Sequence, residues 1–172
     1  MPSVHVCSLP LLEPTATASG ASHLVTIVDV GTPVRRPAVI PPDRHLFLGF
    51  HDMIAAAPGV LLPAEHHIRT LLEFVRDDWD RERPLLVHCY AGVSRSTAAA
   101  FITVCASSPE RDEAEIAASL RRSSPTAFPN RLMVSIADRM MGRDGRMSAA
   151  IAAIGDGIVG IDSTPFALPL RP

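Results

Sequence analysis

Leu85-Leu86-Val87-His88-Cys89-Tyr90-Ala91-Gly92-Val93-Ser94-Arg95-Ser96-Thr97 joins two kinds of local structure across one short loop. Pro84 opens the apolar run Leu85 to His88, which is short and bounded in the manner of a buried strand. After the loop, Ala98, Phe101, Ile102 and Cys105 fall at helical spacing, so a helix begins near Ser96. A strand that feeds a helix through a loop of this length is the repeating unit of an α/β fold.

Working outward, His23 to Val30 is rich in β-branched residues and ends at Gly31, as a strand ended by a turn does. His45 to Phe50 reads the same way. The intervening T-P-V-R-R-P-A-V-I-P-P is too proline-rich for helix or central strand and is expected to be a loop. From Pro63 to Trp79, Ile68, Leu71, Leu72, Val75 and Trp79 form the clearest helical stripe in the chain. Asp112 and Glu115 fit a capping box for a further helix that reaches Arg121 or Arg122, and another starts at Asn130 with Leu132, Met133, Ile136 and Met140 inward. The segment after Arg146 reads as a short helix from Ser148 to Ile154 followed by an irregular stretch. The expected architecture is a single α/β domain, residues 1–146, with a central, mostly parallel sheet flanked by helices, and a C-terminal tail, 147–172, packed on it.

The chemistry lies in the loop. Backbone N–H groups at a helix N-terminus converge on one concave space, and the helix dipole adds positive potential there, which suits a phosphate dianion. The same field stabilises a thiolate, so Cys89 reads as a nucleophile. Tyr90, Ala91, Gly92, Val93 and Ser94 supply the cradle, and Gly92 permits a turn that a side chain would obstruct. Arg95, where the loop turns back, offers a planar fork for two phosphoryl oxygens, which lysine lacks. Ser96 stands where its hydroxyl can hydrogen-bond the sulfur.

His88-Cys89-x5-Arg95-Ser96 resembles the signature of the cysteine-dependent protein tyrosine phosphatase superfamily. The A-G-V-S-R-S form, with Arg121-Arg122 and Pro129-Asn130 further on, is similar to its dual-specificity branch. The resemblance covers roughly residues 52–141. It implies a protein tyrosine phosphatase-like fold and hydrolysis of phosphate monoesters through a phosphocysteine, without metal or other cofactor. It also implies that His88 orders the loop rather than moving a proton, and that an aspartate upstream protonates the leaving oxygen. Asp52, 37 positions before Cys89 and just after a predicted strand, is the choice. Asp43 is the rival, but it precedes that strand. Family members that act on highly charged inositol phosphates tend to carry lysine in the loop. Here all five intervening residues are uncharged, which favours phosphoproteins or simple monoesters.

Other residues read more plainly. Asp77, Asp78 and Asp80 are expected to be a solvated cluster, His66 and His67 surface histidines, Asn130 a helix cap, and Cys105 a buried thiol. His51 is a candidate for lining the pocket.

The rest of the composition narrows the partners. A formal charge of −2 gives no field that gathers nucleic acid or an anionic membrane, and 5% aromatic content offers no base-stacking platform. Three cysteines at irregular spacing make neither a disulfide framework nor a zinc knuckle, so reduced thiols and a cytoplasmic location are expected. No leader or membrane anchor is visible. The expected partner is a phosphorylated protein or a small phosphomonoester. Two alternatives remain: a phosphate-binding module with weak catalysis, and sulfur or arsenate chemistry on a similar anion loop. The histidine before the cysteine and the R-S-T after the loop point away from the latter.

Overall fold

Strand β2 (His23–Val28) is buried along its whole length, which demands cover on both of its faces. The computed structural model describes residues 2–171; Met1 and Pro172, the outer ends of the expected domain and tail, lie outside that range. Strands β1 (Ser3–Ser8), β3 (His45–Gly49), β4 (Leu85–Cys89) and β5 (Phe166–Pro169) join β2 in one sheet of order β3-β2-β4-β1-β5. The first four in that order run parallel, and β5 pairs antiparallel with β1. The sheet is thus mostly parallel and flanked by helices, as the sequence implies.

Alternation sorts the side chains to two faces. Val4, Val6, Val25, Ile27, Leu85 and Val87 join the larger core. Helices α2 (Glu65–Glu73), α3 (Arg95–Ser107), α4 (Glu113–Ser123), α5 (Arg131–Met140) and α6 (Arg146–Ala153) contribute to that core. Leu24, Leu86 and Cys7 turn to the other face, covered by Leu12 and Ala16 of α1 (Leu12–Ser19) and by Ile40 of the proline-rich loop. Helix α3 is buried from Arg95 through Cys105, the reason its sequence is nearly all small and apolar.

Three sequence expectations are corrected. The N-terminal segment, read only for leaders, forms β1 and α1, and β1 lies inside the sheet between β4 and β5. The stretch expected to be irregular after α6 contains β5, whose Pro169 is tolerated because the strand is at the edge. The helix expected to run to Trp79 is α-helical only to Glu73, and Phe74–Asp78 follows as a wider turn closed by Trp79 N–H on the Phe74 carbonyl at 3.0 Å. That turn buries Phe74, Val75 and Trp79 together.

Asp112 caps α4, its Oδ1 accepting from Ala114 N–H at 2.8 Å and Glu115 N–H at 3.2 Å. Asp138 of α5 does the same for α6, accepting from Gly145 and Ser148 N–H at 2.7 and 2.9 Å. No helix is long and apolar enough to cross a membrane among the described residues.

Candidate active site

In a parallel sheet the carboxyl ends of the strands open on one crevice, where ligands gather. Asp29 follows β2, Phe50 and Asp52 follow β3, and Cys89 ends β4. Cys89, Ser96, Ser94, Arg95 and Asp52 of the expected site meet at that edge. Asp43 precedes β3, and Asp77, Asp78 and Asp80 precede β4, so these four lie toward the opposite edge.

The loop from Cys89 to Arg95 is held by its carbonyls. Tyr90 C=O accepts from Leu9 N–H at 3.0 Å, Val93 C=O from Phe128 N–H at 2.9 Å, and Ser94 C=O from Ala98 N–H at 3.0 Å and Asn130 N–H at 3.3 Å. Ala91 C=O accepts from the Ser163 hydroxyl. Carbonyls bonded outward leave the N–H groups of such a loop free to line a concave side. Gly92 N–H lies 3.3 Å from Cys89 Sγ. Gly92 has φ of +70°, and a Cβ there would stand 2.8 Å from the Cys7 carbonyl carbon and 2.9 Å from Ser8 N. The end of β1 therefore presses on the loop closely enough to require glycine.

Cys89 is 3% exposed, and its Sγ is 3.1 Å from Ser96 Oγ. Burial pushes the other two thiols, Cys7 and Cys105, up to about 12, which leaves them protonated and unreactive at neutral pH. All three cysteines are free.

His88 lies beneath the loop, fully buried. Its Nδ1 faces the Cys89 carbonyl at 3.3 Å and must donate there. Its Nε2 therefore accepts from the Thr26 hydroxyl at 2.8 Å, and Thr26 Oγ1 accepts from His45 Nε2–H at 2.8 Å. This chain fixes His88 as the neutral Nδ1–H tautomer. Burial, with a smaller push from His45, lowers its pKa to about 4, so it stays neutral near pH 7.

Arg95 is nearly buried, and its Nη1 donates to Asp29 Oδ1 at 2.8 Å and to the Phe50 carbonyl at 2.7 Å. The guanidinium carbon lies 5.5 Å from the centre of the Tyr90 ring, and the Tyr90 hydroxyl is 2.6 Å from that of Thr32. Its buried Nε has no hydrogen-bond partner among the described residues. A buried donor without a partner is costly, and here it belongs to the one charged side chain of the loop. Asp29, which anchors this arginine, was not singled out from the sequence. Its signal was a carboxylate at the carboxyl end of a buried strand.

Asp52 reaches the rim of the same loop. Its Oδ1 accepts from Ser94 Oγ at 2.7 Å and from Asn130 Nδ2 at 2.9 Å. Asn130 also caps α5, its Oδ1 accepting from Met133 N–H at 3.1 Å. One amide thus starts a helix and grips the aspartate, a second task that the expected cap does not include. His51 turns away from the pocket: its Nδ1 accepts from Leu61 N–H at 2.9 Å and closes the base of the 51–61 loop. His66 is exposed, but His67 is buried, its ring 4.7 Å from that of Phe50. Its Nδ1 takes the Ala64 N–H at 3.1 Å, so it starts α2 and is not a surface residue. Among the described residues no cluster of three histidine, cysteine or acidic side chains is placed to hold a metal ion.

The protein-tyrosine phosphatase family model matches residues 58–130, from before α2 through the Asn130 cap. No curated protein matches the chain in sequence. Among solved structures, human DUSP28 is 17% identical, with 89% of this chain and 96% of that one covered at a TM-score of 0.61. The Cydia pomonella PTP-2 phosphatase is 18% identical, with 81% and 86% covered and a TM-score of 0.60. The human tyrosine phosphatase-like serine/threonine/tyrosine-interacting protein is 17% identical, with 84% and 94% covered and a TM-score of 0.61. At such identities these likenesses speak for the fold. The family model thus spans the Cys89–Arg95 loop, and the chain shares the fold of these solved phosphatases and of their phosphatase-like relative.

Proposed function

We propose that the chain hydrolyses phosphate monoesters, foremost those of phosphotyrosine, phosphoserine or phosphothreonine in proteins, through a phosphocysteine at Cys89. The observation that carries this reading is the setting of Cys89 Sγ, at the floor of an anion-binding loop and within 3.1 Å of Ser96 Oγ and 3.3 Å of Gly92 N–H.

The thiolate of Cys89 attacks phosphorus as the bond to the ester oxygen breaks. Backbone N–H groups of Tyr90 to Arg95 and the Arg95 guanidinium take up the charge on the equatorial oxygens. Because Nη1 is held by Asp29 and Phe50, the edge of the fork that carries Nε is the one that faces phosphate. Asp52 gives its proton to the departing oxygen and then takes one from the water that cleaves the phosphocysteine. Ser96 donates to the sulfur as it leaves as a thiolate. His88, neutral and bonded to Thr26, holds the strand end under the nucleophile. Free thiols in such a mechanism suit a reducing compartment such as the cytoplasm.

The uncharged loop residues support a phosphoprotein or simple monoester over a polyphosphate. A second reading, capture of a phosphopeptide without turnover, draws support from the structural neighbour described as phosphatase-like and interacting. Hydrolysis of para-nitrophenyl phosphate under reducing conditions, from about pH 5 to 8, separates the two. The unaltered protein is expected to turn over and Cys89→Ser to lose all activity. Retained activity in Cys89→Ser contradicts the mechanism, and vanadate binding without turnover in the unaltered protein favours the binding module.

A further inference from the structure

Beside the phosphate loop runs a groove of about 740 Å³ that the mechanism does not use. Val93, Ser94, Asp52 and Asn130 belong to both the site and the groove. Most of the remaining wall is apolar: Met53 and Ile54 of the loop that carries Asp52, Phe128, and Ile158, Val159 and Ile161 of the segment after α6. Val159 is 88% exposed and Ile54 62%. Apolar side chains gathered in the open around one cleft mark a binding surface.

The far wall is built, not frayed. Arg121 donates to the Pro125 and Gly155 carbonyls at 2.8 and 2.9 Å. Ile158 N–H bonds the Pro125 carbonyl at 2.9 Å, and Ser163 reaches across to the Ala91 carbonyl of the phosphate loop. Gly157 packs so tightly that a Cβ there would stand 2.4 Å from the Thr126 carbonyl oxygen. The segment is therefore tied at one end to the connection between α4 and α5 and at the other to the loop that carries Cys89.

Charge identifies the occupant. The one basic side chain lining the groove, Arg131, is engaged by Asp156 at 3.1 Å, and Asp52 and Asp156 are its acidic groups. An anionic phospholipid surface requires unpaired cations, and acidic residues flanking a phosphate would likewise find no unpaired cation in this lining. The volume exceeds that needed by a single side chain and adjoins the point where phosphate binds.

We infer that the groove receives apolar side chains next to the phosphorylated residue of a peptide substrate, an inference that rests on the phosphatase reading above. The walls supplied by residues 156–161 then set substrate preference: apolar neighbours are accepted and acidic ones rejected.

The test compares two phosphotyrosine peptides that differ only in the residues on either side of phosphotyrosine, leucine in one and glutamate in the other. The full chain is expected to favour the leucine peptide in kcat/KM by about tenfold or more, tenfold being 1.4 kcal/mol and less than the gain from burying one aliphatic side chain. In Ile161→Asp, and separately in Gly157→Ala, the ratio is expected to fall toward one. Equal rates in the unaltered protein, or a ratio that neither variant moves, overturn the inference. So does faster turnover of a micellar alkyl phosphate than of either peptide. Para-nitrophenyl phosphate is run alongside. If it is not hydrolysed, the phosphatase reading has failed, and the groove is judged by fluorescence anisotropy with the same peptides: tighter binding of the leucine peptide supports it and equal binding overturns it.

Discussion

The nucleophile and the acid of the proposed reaction are held by different means. Cys89 and Arg95 are fixed by backbone and burial: a strand end, a helix start, carbonyls bonded outward and a histidine locked by Thr26. Asp52 sits on an exposed loop and is held by two side-chain donors, Ser94 Oγ and Asn130 Nδ2. The half proposed to bind phosphate is therefore built into the core, so its backbone moves only with the fold. Acid placement rests on two hydrogen bonds that substitution can remove without touching the core.

The largest effect expected on the exposed side is that of Asp52→Asn. Turnover of esters with poor leaving groups falls by about a hundredfold or more, that of para-nitrophenyl phosphate falls far less, and the basic limb of the pH profile flattens. An unchanged profile moves the acid elsewhere. Asn130 separates cap from clamp. Asn130→Asp keeps a good capping oxygen but sets a second carboxylate against Asp52, which favours the protonated acid. The basic limb is expected to move to higher pH while thermal stability stays within about 1 kcal/mol. Asn130→Ala, by contrast, loses about 1 kcal/mol of stability through the cap. Identical pH profiles for the unaltered protein and Asn130→Asp would remove the clamp from the account.

The buried side responds to acid instead. His88 has a folded pKa of about 4, below its ordinary 6.5. The unfolded chain therefore binds a proton that the folded chain refuses between those values. Its contribution is complete above about pH 6.5 and drains as pH falls toward 4, amounting to about 2 kcal/mol lost by pH 5. His5, His23, His45 and His67, all lowered first by burial, act with the same sign. The urea midpoint is expected to fall between pH 7 and pH 5, with the His88 ring resonances unmoved over that interval. A flat midpoint, or a His88 that titrates near 6.5, contradicts the buried network.

The same division governs how much could be read from the chain. The strand, loop and helix of residues 85–107 were legible because residue type and position agree there: an apolar run, a glycine at the turn, an arginine at the return. Asp52 was reached through a family resemblance rather than through its surroundings, since its partners Ser94 and Asn130 lie 42 and 78 positions away in sequence. β1 went unread because it is six residues long, with only two valines, His5 between them and Cys7 after. β5 is four residues and contains two of its own breaks in pattern, Ala167 and Pro169. His67 looked like a surface residue because it follows the exposed His66 in sequence, whereas it turns inward and packs on Phe50 from a distant strand end. Asp29 carries only its place at a strand end as a signal for a related reason: its role comes from Arg95, 66 positions on.

The central claim is the covalent step at Cys89, and trapping tests it most directly. In Asp52→Asn, mixed with a fast-leaving aryl phosphate and quenched in acid, mass spectrometry is expected to find one phosphoryl group on the peptide that contains Cys89. The same variant turning over with that peptide never phosphorylated, and the phosphoryl group on another residue or on none, would contradict the account.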